Sequence, residues 1–118
     1  IANALAAQQD QWDLAVRQAR IDFLVSYNRG RLSRQVNAMR EARAIREYCD
    51  EALVRLEGAP IAERSRGAQW VEWARGEADR LDLVWDTRSL RFDEPEDVSP
   101  ADIQEFMPPG LSAYRRPS

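Results

Sequence analysis

The chain has 118 residues, 20 acidic against 17 basic, and a net charge of −3; that length predicts one domain with one core, and a mildly acidic chain of ordinary apolar content predicts neither a nucleic-acid binder nor a membrane binder from its overall field. Every basic side chain is Arg, His is absent and Cys49 is the one cysteine, which excludes an internal disulfide, Schiff-base chemistry, a P-loop Lys, the usual general base and the commonest zinc ligand. No apolar run approaches the roughly 18 residues of a membrane span, the N-terminal Ile-Ala-Asn-Ala-Leu lacks the basic-then-apolar form of a signal peptide, and one cysteine fits a reducing, cytoplasmic setting; the chain reads as a piece of a longer protein.

Residues 4–28 contain neither Pro nor Gly and are rich in Ala, Gln, Leu and Arg, which predicts a first helix. Leu5, Trp12, Val16, Ala19, Phe23 and Tyr27 recur at helical spacing, and Leu14, Ile21 and Val25 form a second stripe on a different side. A helix with two apolar stripes lies between two neighbours of its own chain, or shows one stripe to a partner. Asn28-Arg29-Gly30-Arg31 then predicts a turn or kink, with Ser33 as N-cap of the next helix. The alternative is one long coiled-coil-like rod running straight through.

The second helix is expected over about 33–57, with Val36, Met39, Ala42, Ile45, Cys49, Ala52, Leu53 and Leu56 on its apolar side and Glu51–Arg55 as a favourable i,i+4 pair. Gly58-Ala59-Pro60 ends it, and residues 59–67 form a loop or single turn. A third helix over about 67–85 carries Trp70, Trp73, Ala74, Glu77 and Leu81 on one side. Two indoles one turn apart, on the order of 150–250 Å² each, are expected in the core against the preceding helices. Gly76 is either a mild defect or a point of close backbone approach.

From Asp86 onward the chain turns acidic, extended and punctuated by Pro. Ser99-Pro100-Ala101-Asp102 is a helix start, with Ser as N-cap, Pro at the first position and an acid in the first turn, so a short helix is expected over about 100–106. Pro108-Pro109-Gly110 stops it, and the last eight residues read as an exposed tail.

Charge is unevenly placed. Arg29, Arg31, Arg34, Arg40, Arg43 and Arg46 face Glu41 alone, whereas residues 77–105 hold ten acids against three Arg. The Arg cluster could neutralise phosphates, but no aromatic residue interleaves it for base stacking. The acidic segment folding back on the basic helix, or simple solvation of both, is the favoured reading. Asp79, Asp82 and Asp86 line one helical face at i, i+3 and i+7; such carboxylates can hold Mg²⁺ or Ca²⁺, and an ordinary wet face is favoured. Asp93-Glu94-Pro95-Glu96-Asp97 lacks the central Gly of a calcium loop. Cys49 has no His for activation and reads as a core residue. Paired carboxylates for glycoside chemistry lack an evident cleft. Trp85 and Phe92 remain as candidates for contact with a partner or with the tail.

Ala42-Arg43-Ala44-Ile45-Arg46-Glu47-Tyr48, taken with Trp70-Val71-Glu72-Trp73-Ala74 and Ala78-Asp79-Arg80-Leu81-Asp82, resembles the C-terminal helical region of a group of large, uncharacterised bacterial proteins. There a charged coiled coil precedes Ala-x-x-Ile-Arg-x-Tyr and, later, Trp-x-x-Trp-Ala-x-x-x-Ala-Asp-x-x-Asp. The resemblance covers about residues 36–83 and implies an all-helical C-terminal appendage used for self-association or docking.

The sequence therefore predicts an all-α chain: a three-helix antiparallel bundle or helical hairpin over residues 1–85, followed by an extended acidic tail over 86–118. The expected function is that of a non-enzymatic protein-protein interaction or oligomerisation module, the C-terminal docking domain of a larger cytoplasmic bacterial protein. No catalytic residue, cofactor, metal, membrane contact or small-molecule substrate is expected. Leu14, Ile21, Val25, Trp85 and Phe92 would meet the partner, a second copy or another chain. The alternative is a nucleic-acid-binding accessory domain using Arg29, Arg31, Arg34, Arg40, Arg43 and Arg46.

Overall fold

A computed structural model of the protein describes residues 2–82 and 86–118. These residues are all-helical, with no strand among them. The elements are α1 (Ala2–Leu56), α2 (Ile61–Asp82), a 3₁₀ turn (Thr87–Ser89), α3 (Pro100–Ile103) and a second 3₁₀ turn (Gln104–Phe106).

Of the two readings open at Gly30, the turn does not form and the helix runs straight through, so the two expected helices are one, α1. Gly30 costs a helix about 1 kcal/mol relative to Ala, and the helix formers on both sides outweigh it. Asn28, expected to favour a turn, instead bends its carboxamide back to donate to the Leu24 carbonyl at 2.8 Å, one turn earlier. Ser33 is consequently an exposed mid-helix residue and no cap.

The connection to α2 is also shorter than expected. Only residues 57–60 separate the helices, closed by the Ala59 amide donating to the Leu56 carbonyl at 3.1 Å. Pro60 stands directly before the first helical residue, its carbonyl accepts from the Arg64 amide at 2.9 Å, and Glu63 lies in the first turn. A residue without an N–H followed by an acid suits a helix start, so α2 begins at Ile61 and not near 67.

The chain folds as two compact units, Arg31–Arg91 and Ile1–Gly30 with Phe92–Ser118. In the first, the two long helices pack together antiparallel: Arg46 meets Asp79, Cys49 meets Val71, and Leu56 meets Gly67. The seam runs through Ala42, Ile45, Cys49, Ala52 and Leu56 on α1 and Gly67, Val71, Ala74, Ala78 and Leu81 on α2, a three-four alternation on both helices. Ala42, Cys49, Val71, Ala74 and Ala78 are buried. Most of these are small, and small residues let helix axes come close. A Cβ added at Gly67 would lie 2.5 Å from both Leu56 methyl carbons.

The indoles expected in this core are not there. Trp70 is 51% and Trp73 58% exposed. Both fall one position before a seam residue, Val71 and Ala74, so they project from the flank. An interface tight enough for Gly67, Ala74 and Ala78 has no room for an indole between its axes, and the small-residue periodicity sets the buried face instead of the larger side chains.

The second unit buries Ala19, Ile103, Met107 and Ala113, with Trp12, Val16, Phe23, Val98, Phe106 and Leu111 packed around them. The first apolar stripe of α1 is thus covered by the returning C-terminal segment. Ser99 caps α3 through a capping box: its hydroxyl accepts from the Asp102 amide at 3.3 Å, and the Asp102 carboxylate accepts from the Ser99 amide at 2.9 Å. Gly110 has φ +84° in the turn closed by the Leu111 amide and the Pro108 carbonyl, a position that favours glycine. The last eight residues, expected as an exposed tail, are exposed at Tyr114, Arg115, Arg116 and Ser118 but pack in part. Ala113 is 7% exposed, Trp12 Nε1 donates to the Ser112 carbonyl at 2.8 Å, and Arg116 pairs with Asp13 at 3.0 Å. Asn28 presents its carboxamide to Asp93 as a strand edge would, accepting from the Asp93 amide and donating to the Asp93 carbonyl, each at 2.8 Å.

Candidate interaction face

On one flank of the α1–α2 pair, Trp70 and Trp73 stack on each other, with ring centroids 5.3 Å apart and planes 23° from parallel. Residues three apart on a helix are neighbours, which brings the rings together. Trp70 Nε1 donates to the Tyr48 hydroxyl of α1 at 2.6 Å, fixing the indole plane. Tyr48 is itself half exposed. Beside this stack lies an open groove of about 620 Å³, floored by Ala52, Leu56, Gly67 and Val71 and edged by Glu51, Arg55 and Glu63. The lining is mainly apolar carbon with few polar groups.

The opposite flank is polar. Arg46 bridges Asp79 at 3.0 Å and also Asp82, and Arg75 pairs with Asp50 at 3.2 Å. Hydrogen bonds donated to Asp79 and then to Asp82 hold the Arg46 guanidinium above its ordinary pKa. Asp86 lies with Arg88, which lowers its carboxyl pKa through side-chain and backbone hydrogen bonds. The three carboxylates expected on one acidic face are therefore engaged by two different arginines. Cys49 is buried in the seam, its thiol directed at the Val71 carbonyl at 3.7 Å.

Of the residues expected at a partner interface, Leu14 and Ile21 are exposed on α1, two turns apart, and Val25 is half-buried. Phe92 is exposed, and Trp85 lies outside the described residues. The Arg cluster divides in two. Arg29, Arg34, Arg40 and Arg43 are exposed. Arg31 donates to the Arg91 and Ser89 carbonyls at 2.8 and 2.9 Å, and Arg46 is held by Asp79 and Asp82.

The role of Tyr48 in holding Trp70 has no local signal in the sequence, because the two residues stand 22 positions apart. The exposure of the indoles does have one: the Gly67, Val71, Ala74, Ala78 spacing competes with the indole stripe for the buried face. Among the described residues no helix is long and apolar enough to cross a membrane. Compared with models of known families, with curated proteins and with solved structures, the chain matches none.

Proposed function

We propose that this chain is a non-enzymatic protein-protein docking module, an appendage that joins a larger cytoplasmic protein to another chain. The observation that carries the reading is the Trp70–Trp73 stack. The α1–α2 seam is complete without these indoles, yet both stand about half exposed and are held in a fixed orientation. Contiguous exposed apolar surface of this kind marks interaction sites, and tryptophan is the residue most enriched at their energetic centres. Leu14 and Ile21 of α1 are exposed as well.

A photo-crosslinking amino acid at position 73, introduced into the protein in its native host, tests this reading. A protein adduct identified by mass spectrometry, and lost on Trp70→Ala, is the expected result. Absence of any protein adduct rejects it. The exposure of Arg29, Arg34, Arg40 and Arg43 favours nucleic-acid binding as the second reading. That reading requires DNA or RNA binding at low salt, about 50 mM, that falls steeply as salt rises, and it fails if none is measurable there.

A further inference from the structure

The flank that carries the indoles also carries a charge pattern that identifies its occupant. Along α2, Glu63, Arg66, Trp70, Trp73, Glu77 and Arg80 follow one another at steps of three, four, three, four and three. That alternation keeps all six on one side of the helix. Glu77 is half-buried and the other five are exposed. Resting on the docking reading above, we propose that the occupant is a second copy of this chain, paired through α2 in antiparallel orientation about a two-fold axis between Trp70 and Trp73.

In that register Glu63 faces the partner's Arg80, Arg66 faces the partner's Glu77, and Trp70 faces the partner's Trp73. Every charged position meets the opposite sign, and the symmetry repeats each pair on the other side of the axis. A parallel, in-register pair would set each residue against its own copy, with like charges meeting at all four charged positions. The charge pattern therefore selects both the partner and its direction. From Glu63 to Arg80 the face runs about 25 Å at 1.5 Å per residue. Its centre is apolar, with four indoles of roughly 150–250 Å² each, and its ends are charged, which is the core-and-rim anatomy of a specific interface. The bond from Trp70 to Tyr48 holds the indole before association, so less ordering is required on binding. Glu77 and Arg80 pair within one helix at 2.9 Å in the isolated chain. Arg80 is exposed and Glu77 half-buried, and the Glu77 carboxylate has acceptor capacity left for the incoming Arg66.

The test uses the whole chain. Light scattering is expected to give twice the 13.6 kDa chain mass. Arg66→Glu and Glu77→Arg each place like charges opposite one another twice per dimer, and each is expected to weaken self-association at least about tenfold. Neither residue lies in the seam, so the helical circular dichroism should be unchanged. An equimolar mixture of the two variants restores opposite signs at these positions, as does the double variant with itself, and both are expected to recover the dimer. A wild-type chain monomeric at all accessible concentrations overturns the proposal. So does a dimer indifferent to the single reversals, or a mixture no more associated than its components. The docking reading is judged separately. A crosslink from position 73 to a different protein sustains that reading while the antiparallel self-pairing fails.

Discussion

The Asp86 carboxylate is gripped by one neighbour at several points. One oxygen accepts from the Arg88 amide at 3.0 Å, and the other accepts from Arg88 Nε at 2.7 Å. The hydrogen bonds lower the carboxyl pKa below its ordinary value, the side-chain contribution being the larger. A carboxyl whose folded pKa is lowered contributes stability above its unfolded pKa and loses that contribution as pH falls through the folded one. The first 3₁₀ turn, which Asp86 caps, is therefore expected to loosen only on acidification below the ordinary carboxylate range, near pH 4. An NMR titration of the Asp86 carboxyl should show a midpoint below that range, and Arg88→Ala should move it upward. A midpoint unchanged by Arg88→Ala contradicts the assignment. Residue-level features of this kind are legible in the sequence where their cause is local. The capping box at Ser99 needs only Ser-Pro-Ala-Asp, and it forms where those four residues stand. The exposure of Trp70 is not legible in the same way, because it depends on how closely a helix formed by residues 42–56 approaches.

That closeness is a property of the two elements together, and two glycines of α2 report it. Gly67 faces Leu56 across the seam, whereas a Cβ at Gly76 would meet nothing within 4 Å. Gly76→Ala is expected to gain helix propensity freely and to stabilise the protein by about 0.5–1 kcal/mol. Gly67→Ala gains the same propensity but must displace the Leu56 methyls, the far end of a flexible side chain that borders the open groove, so a smaller net gain than at Gly76 is expected. Urea denaturation of the two variants separates the cases, and equal gains would show that Leu56 swings aside without cost. The elements are only partly legible for a related reason. The apolar side of α1 over Ala42, Ile45, Cys49, Ala52, Leu53 and Leu56 is plain in the sequence, since its 3.6-residue period is strong. On α2 two periodicities overlap, and the bulkier one points to the wrong face. At Gly30 a local helix-breaking preference of about 1 kcal/mol competes with the cooperativity of a helix of 55 residues, and the longer-range effect prevails.

At the scale of the whole molecule, two separate apolar cores hold the described chain. One contains Ala19, Ile103, Met107 and Ala113, the other Cys49, Val71 and Ala74, and neither shares a residue with the other. Substitutions at sites without common partners act almost independently, and units with their own cores open separately in hydrogen exchange. Ile103 is 6% exposed at the centre of the first cluster, so Ile103→Ala should cost that unit about 2–5 kcal/mol. Native-state exchange is then expected to speed up for amides over residues 2–30 and 92–118, and to change little over residues 42–56 and 67–78. Equal loss of protection in both sets would mean that α1, which contributes residues to both cores, transmits unfolding along its length. The expected asymmetry bears on function, because the indole face is built on the second core alone. Association through Trp70 and Trp73 should therefore persist in Ile103→Ala, whereas a variant that disturbs the Cys49–Val71–Ala74 seam should abolish it. Light scattering on the same two variants decides whether the docking surface belongs to the helix pair or to the chain as a whole.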